Sequence, residues 1–492
     1  MTARWAVALL VLLVLLPATA AAQHRAVTYD IAILGGRVMD PASGLDAVRN
    51  VGIRADRIVT VTTARIAGRD TIDARGLVVA PGFIDLHAHG QDDEAYRYYV
   101  MDGVTTALEL ELGVGPIAAF YAAREGKALV NFGGSASHFQ GRRIATGTQL
   151  RDYYHETWTD TSARFSQTRT TQPLIDTVQA YLRRELDAGA LGVGIGVAYI
   201  PGATGLEIFR LFEICAERRV ICFTHVRDAL PGIQEVVGDA MATGASLHVV
   251  HANSSSGANL GASTWMPFLR VIHAARRHGV DVTTEAYPYT AGSTFVQSAI
   301  FDSWVTDTTS DYNSLVWVAT GEHLTRETFL GYRRVGGNVI QLGAADSVLY
   351  PLFRDSMVMV ASDAVPWFNH RGHPRLAGTF ARVLGRFVRE QQLFSLMEGL
   401  RRMTIMPARR LEASVPQMRT KGRLARGMDA DIVVFDAARI IDRATYEEPA
   451  RYSEGVVYVL VNGTTVVRAG TPVTTAFPGR AIRRRIHPPS KR

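Results

Sequence analysis

The chain has 492 residues, 47% hydrophobic and 20% charged, with 44 Gly and 19 Pro. That balance excludes a long disordered, collagenous or coiled-coil protein, and the length allows one large domain or two to three smaller ones. The formal charge is +7, yet the basic residues are almost all arginines and form no run with interleaved aromatics before residue 480, so no nucleic-acid partner is expected.

In chain order, Arg4 precedes an apolar stretch at residues 5–16, then Pro17 and small residues at 18–22. This is the layout of a secretory signal peptide (residues 1–22) with cleavage before Gln23, which would leave a charge of +6. The apolar run is short for a bilayer span and no cysteine follows it for lipid attachment. The expectation is an exported, periplasmic or secreted chain without stable membrane insertion. From Tyr29, short strands are predicted at 30–34, 38–39, 51–54, 57–61 and 70–73, with Gly35-Gly36 and Pro41 as turns. A matching set is predicted at 432–435, 456–461 and 464–468, with Asn462-Gly463 as a hairpin turn. Together they predict one small β-sandwich domain assembled from residues 23–80 and 416–475, followed by a basic tail at 476–492.

Residues 81–415 alternate differently. Apolar, β-branched runs recur at 82–89, 104–113, 128–138, 191–200, 220–225, 247–251, 280–289 and 357–363. Stretches of helical periodicity lie between most of them, as at 171–188, 206–218, 233–243 and 265–278. Eight buried-type strands separated by helices predict a parallel (β/α)8 TIM-like barrel, an α/β fold. A doubly wound sheet would normally show a glycine-rich phosphate turn after its first strand, where this chain has His-Ala-His. Residues 298–337 fit no strand–helix unit and are read as an insertion over the barrel mouth.

In such a barrel the C-terminal strand ends converge on one face. The first strand ends at His87 and His89, two apart and so facing one point. The fifth ends at His225, the sixth at His251, the eighth at Asp363, and His138 ends the third. Imidazoles and a carboxylate on one rim suit a divalent metal such as zinc. Two ions there would need a bridging anion. None of the three lysines ends a predicted strand, so a carboxylated lysine is not expected. The candidates are Glu109, Glu111, Glu285 and Cys222, with Glu111 preferred as nearest the end of its strand. Glu109 is then a partner that orients a histidine, and Cys222 is read as core. With Cys215 it makes only two cysteines, too few for a disulfide framework. Asp363 is placed to move protons, and Tyr199, after glycines 192, 194 and 196, to donate to a developing oxyanion.

These residues resemble the metal-dependent amidohydrolases, and within them the D-aminoacylases (N-acyl-D-amino-acid deacylases). The resemblance covers nearly the whole mature chain and rests on PGFIDLHAH (81–89), GVTT (103–106), THVRD (224–228), VHAN (250–253), AYPYTAGST (286–294), Ser362-Asp363, HPRLAGTFARVLG (373–385) and ADIVVFD (430–436). It implies His87 and His89 at one metal position, His225 and His251 at the other, Asp363 as acid/base and metal ligand, and Tyr199 as oxyanion donor. It also implies Arg375 on the substrate carboxylate and one or two zinc ions; beside these, Asn253, His138 and Ser293 are expected as further substrate contacts. Two departures stand out. The family's strand-two Asn-Cys-Gly is replaced by Glu109-Leu110-Glu111-Leu112-Gly113, and a family lysine two residues after the strand-six histidine is replaced by Asn253, which cannot neutralise a carboxylate.

The expected activity is metal-assisted hydrolysis of an amide in a carboxylate-bearing small molecule, an N-acyl-D-amino acid or related N-acyl amino acid or dipeptide. The alternatives are a lactonase or cyclic-amide hydrolase using the same site, and a non-catalytic exported binding protein. Homo-oligomer formation is left open, as is polyanion binding by the tail.

Overall fold

The computed structural model describes residues 28–485, apart from 259, 260 and 262. The expected signal peptide (1–22) and the end of the expected tail (486–492) lie outside the described residues. Five strands open the described chain: β1 (Thr28–Asp40), β2 (Leu45–Arg54), β3 (Arg57–Thr62), β4 (Ala67–Asp73) and β5 (Val78–Pro81). β2 pairs antiparallel along β1, whereas β4 pairs parallel with its first half and β5 with its second. The change of partner falls at a register shift between Ile33 and Gly36, with Gly35 at φ +68°. The turn expected at Gly35-Gly36 is therefore a bulge inside one strand. A left-handed glycine inserts a residue and bends the ladder without reversing it.

Seven parallel strands follow: β6 (Phe83–Asp85), β7 (Val104–Val114), β8 (Asn131–Ser137), β9 (Gly192–Gly196), β10 (Ile221–His225), β11 (Ser246–Val249) and β12 (Val282–Ala286). An insertion then carries β13 (Gly292–Phe295), β14 (Leu315–Trp317) and β15 (Asn338–Gln341) in a separate antiparallel sheet. β16 (Val358–Val360) returns to pair with β12. A parallel bridge from Ala88 to Ala364, just past the ends of β6 and β16, draws the first and last strands of the barrel together. Helices Gln172–Asp187, Gly205–Arg218, Ala229–Thr243 and Trp265–Arg277 overlap the predicted ones and bury their apolar faces against the strands. Thr171 and Thr204 cap the first two through backbone N–H groups of Leu174 and Glu207, which fixes where each begins.

The chain ends in β17 (Ile432–Phe435), β18 (Val456–Val461), β19 (Thr464–Arg468) and β20 (Thr471–Pro472). β17 pairs antiparallel with β5, from Ile432 opposite Pro81 to Phe435 opposite Val78. Ile31, Val51 and Ile72 share one core with Ile432, Val434 and Leu460, so both chain ends build one β domain. Asn462 and Gly463 make the expected hairpin turn, at φ +47° and +77°.

Below, Ile84, Leu108, Leu110, Phe223 and Met359 pack with Leu411, Met418 and Ile482. This apolar plug closes the barrel at one end and leaves the polar strand ends at the other. The first part of the expected tail belongs to the plug. Ile482 donates its N–H to Phe132 O (2.7 Å), Phe132 donates to Arg480 O (3.1 Å), and Ile482 is 2% exposed. Among the described residues no helix is long and apolar enough to cross a membrane.

Candidate metal centre

His87 and His89 follow β6 two residues apart, with ring centroids 4.8 Å from each other. Nδ1 of His87 donates to Glu285 Oε1 (2.6 Å), and Nδ1 of His89 donates to Glu109. These carboxylates hold the tautomer that leaves both Nε2 lone pairs facing inward. The two Nε2 atoms lie 2.9 and 3.1 Å from Glu111 Oε2, and each is 3.3 Å from Asp363 Oδ1.

The other Glu111 oxygen, Oε1, stands 2.6 Å from His225 Nδ1 and 3.2 Å from His251 Nε2. Nδ1 of His251 donates to Ser255 Oγ (3.0 Å), leaving its Nε2 turned toward Glu111. The result is two ligand sets sharing one carboxylate: His87, His89, Glu111 and Asp363, and Glu111, His225 and His251. Within each set the ligand atoms lie within 4.8 Å of one another.

Local backbone features produce this geometry. β7 bulges after Glu109: Glu109 pairs with Gly134 but Val114 with Ala136, five steps against two. The bulge places Glu111 between the histidine pairs, as bulges beside active sites re-aim side chains. Gly194 lets β9 approach it, since a Cβ there would stand 2.4 Å from Glu111 O. His251 and Asp363 both have left-handed backbones, at φ +33° and +52°, a conformation costly for residues with a Cβ. Asp85 supports the rim by accepting from the backbone N–H of His87 (3.1 Å) and Ser362 (3.0 Å) and from the Ser362 hydroxyl. Burial pushes its carboxyl up to about 7.

The charges fit a divalent cation. Glu109, Glu111, Glu285 and Asp363 are all buried here, and among the described residues the one guanidinium in contact with them is that of Arg375, against Asp363. Burial opposes charge on His87, yet Asp363, Glu111 and Glu285 raise it to about 10. Burial likewise opposes ionisation of Glu285, but His87 and His248 hold it at about 2. An excess of carboxylates that makes a buried imidazole so basic is a place for positive charge, and imidazole with carboxylate is a zinc donor set.

A cavity of about 190 Å³ opens beside Asp363 and His225 toward the insertion, with Tyr199, Tyr287, Ser293 and Arg375 in its wall. The Tyr199 hydroxyl is 3.1 Å from Thr294 Oγ1, and burial raises its pKa well above the ordinary value, so it stays protonated. A wider surface groove of about 750 Å³, near residues 91–94 and 151–155, contains none of the ligands.

The structure thus gathers His87, His89, Glu111, His225, His251, Asp363, Tyr199, Arg375 and Ser293, and puts two expected residues elsewhere. His138 begins a helix, so its side chain leaves the strand direction and meets Glu207 Oε1 (2.7 Å), which also pairs with Arg142. Asn253 sits in the short helix Ala252–Ser255, is fully buried, and binds the backbone of Tyr287 and Tyr289 rather than facing the cavity. Ser254 beside it faces the cavity instead. Cys222 is bonded to Cys215, so two cysteines do form one disulfide, between β10 and helix Gly205–Arg218. Glu285, weighed as a bridge, stands behind His87, with His248 Nε2 3.2 Å away. Asp85 and Thr294 lie inside the quoted motifs without being singled out, and His248 lies outside them, its contact with Glu285 being 37 residues distant along the chain.

Comparison with known proteins agrees with this arrangement. Residues 357–467 match the profile of the amidohydrolase family. Over 483 residues the chain is 31% identical to N-acyl-D-glutamate deacylase of Alcaligenes xylosoxydans xylosoxydans, covering 92% of this chain and 96% of that protein. It is 28% identical over 472 residues to D-aminoacylase of the same organism, covering 89% and 94%. The fold is similar, at a TM-score of 0.76 and 27% identity, to N-acyl-D-glutamate deacylase from Bordetella bronchiseptica, solved with zinc and a phosphonate mimic of the tetrahedral intermediate, over 93% of this chain and 100% of that one. With both domains spanned by these matches, the chain belongs to the D-aminoacylase (N-acyl-D-amino-acid deacylase) family of metal-dependent amidohydrolases.

Proposed function

We propose that this protein is a zinc-dependent deacylase that hydrolyses the amide bond of an N-acyl-D-amino acid. The observation that carries the reading is Glu111 joining two histidine pairs beside a cavity that also holds Asp363 and Arg375. His87, His89, Glu111 and Asp363 would hold one ion, and Glu111, His225 and His251 a second. Bound zinc supplies Lewis acidity and makes water acidic enough to attack near pH ~7.

The remaining work falls to the chain. Arg375 orients the substrate through its carboxylate, being the guanidinium in the cavity lining. Its Nη2 donates to Ser293 O (3.2 Å), which aims the guanidinium. Asp363 accepts the proton of the attacking water and returns it to the departing amine nitrogen. Tyr199, protonated and in the cavity wall, donates to the oxyanion that forms on the carbonyl.

A free carboxylate is what a lactone lacks, so Arg375 favours the open N-acyl amino acid over the lactonase alternative. The test is amine release by the zinc-loaded chain from N-acetyl-D-amino acids, their L counterparts and lactones. Zinc-replete protein that releases nothing from any D-substrate would overturn the reading.

An exported location is also inferred. It is supported by the signal-like N-terminal sequence and by the buried Cys215–Cys222 disulfide, a bond suited to oxidising compartments. An N-terminus at Gln23 on protein recovered outside the cytoplasm is the expected outcome, and an intact Met1 would overturn it.

A further inference from the structure

We propose that Asp102 is a positioning residue for the reaction: it fixes the helix Arg375–Arg382 and, through that helix, the guanidinium that receives the substrate carboxylate. The inference rests on the deacylase reading above.

Two stretches that stand out in the sequence meet here. Asp102 ends the helix Asp93–Met101 and precedes the GVTT stretch, and Arg375–Arg382 lies within HPRLAGTFARVLG. Every residue of the second helix is buried, and Arg375 is its first. A helix packed on all sides has no solvated face to set its rotation, and apolar contact is non-directional. Hydrogen bonds must then set its rotation and its height. Asp102 Oδ2 accepts from the backbone N–H of Phe380 (2.7 Å), and Oδ1 accepts from that of Ala381 (2.9 Å). The Ser453 hydroxyl reaches both Asp102 Oδ1 (2.8 Å) and Ala377 O (3.0 Å). An α-helix joins Ala381 N–H to Ala377 O, and here each of the two meets an inserted side chain. Such insertion bends a helix, and the turns that follow, Val383–Glu390, are π-helical.

Phe380 is about 7.5 Å along the axis from Arg375, so what Asp102 holds is felt at the cavity. At the cavity end the contacts are fewer: Arg375 N–H donates to His373 Nδ1 (3.0 Å), and its Nη2 to Ser293 O. At the other end Arg382 donates through Nε to Pro288 O (2.8 Å) and through Nη1 to Asp442 (2.7 Å). Pro288 follows Tyr287, whose ring lies 4.7 Å from the Arg375 guanidinium carbon. Asp102 and Arg382 therefore keep the helix in register with the segment that supports the guanidinium. A slip of about 1 Å would carry Arg375 with it, and misplacement on that scale costs up to ~100-fold.

The experiment measures KM, kcat and bound zinc for Asp102→Ala, Asp102→Asn and Ser453→Ala, each alone and with Arg375→Lys. The zinc-loaded full chain is used with the N-acetyl-D-amino acid that the wild type turns over best. Asp102→Ala should raise KM at least ~10-fold while kcat falls less than ~3-fold and zinc is unchanged. Burial pushes the Asp102 carboxyl up to about 8, so uncharged Asn, which keeps one acceptor, should recover much of the loss. Ser453→Ala should raise KM by a smaller factor. With Arg375→Lys already present, Asp102→Ala should add less than ~2-fold, because both act through one guanidinium. A lower melting temperature with unchanged KM, or KM increases that multiply in the double variant, overturns the inference and leaves the deacylase reading standing. If the wild type hydrolyses no N-acetyl-D-amino acid, that reading falls and calorimetry with N-acetyl-D-leucine decides. Weaker binding in Asp102→Ala that Arg375→Lys masks supports the inference, and equal or absent binding overturns it. Should Asp102→Ala fail to fold, unchanged KM in both Asp102→Asn and Ser453→Ala overturns it, and a raised KM masked by Arg375→Lys supports it.

Discussion

Arg375 Nη1 stands 3.0 Å from Asp363 Oδ2, while Asp363 Oδ1 faces the Nε2 atoms of His87 and His89 at 3.3 Å. One carboxylate thus links the group placed to hold substrate with the groups placed to hold metal. Burial would raise the Asp363 carboxyl, but Arg375 and His87 outweigh it and hold it well below the usual range, so it starts ionised. Asp363→Asn should retain zinc through the histidines and Glu111 while kcat falls at least ~100-fold, the scale of general acid/base catalysis. Metal analysis beside turnover checks both halves, and retained activity would remove Asp363 from proton transfer.

Glu111 and Glu109 should separate under the same chemistry. Glu111→Gln removes the charge shared by two ligand sets and should lower bound zinc below one ion per chain. Glu109→Gln loosens only the orientation of His89 and should weaken zinc affinity by ~10–100-fold without abolishing it. Mass-spectrometric metal counts after gel filtration distinguish them. A larger loss in Glu109→Gln would reverse the assignment.

Arg375→Lys should raise KM at least ~10-fold with a smaller effect on kcat, because a point charge replaces a planar fork that matches a carboxylate. Steady-state kinetics on N-acetyl-D-amino acids measures it. Equal KM values would mean the substrate carboxylate is held elsewhere.

His138 answers to structure rather than to catalysis. His138→Leu should keep zinc content and kcat but lower stability by about 1–3 kcal/mol, since Glu207 loses a buried hydrogen bond. The acid limb tests the same pair. Burial would raise the Glu207 carboxyl, but His138 and Arg142 hold it at about 2 against an ordinary 4.5. Its contribution is complete above about 4.5 and is lost as pH falls from there through about 2. Burial also holds the His138 imidazole below its ordinary 6.5, so denaturant melts of the metal-free proteins should show the wild type and His138→Leu beginning to converge below that pH and continuing to converge through the Glu207 window. Parallel curves would show that the pairing contributes nothing.

The strands that carry the site were legible in the linear pattern. A parallel barrel buries its strands on both faces, so each appears as an apolar run, and a polar residue closing such a run is conspicuous. His87, His89, His225, His251 and Asp363 stood out for that reason, and the pairing of both chain ends into one sheet followed from short alternating strands flanking a different middle. What local pattern could not rank were groups equivalent in periodicity. Glu109 and Glu111 lie two apart on one strand, and only the bulge before Val114, set by the register against β8, makes Glu111 the bridge and Glu109 the brace of His89. His138 closed an apolar run like the others, yet the helix begins at that residue and swings it to Glu207. Asn253 follows His251, whose left-handed backbone turns the chain away from the rim. Glu285 meets His87 across 198 residues of sequence. Sequence sets which residues can end a strand, because burial and period are local. Packing decides which of them meet, because that depends on register, helix starts and backbone sign at single positions.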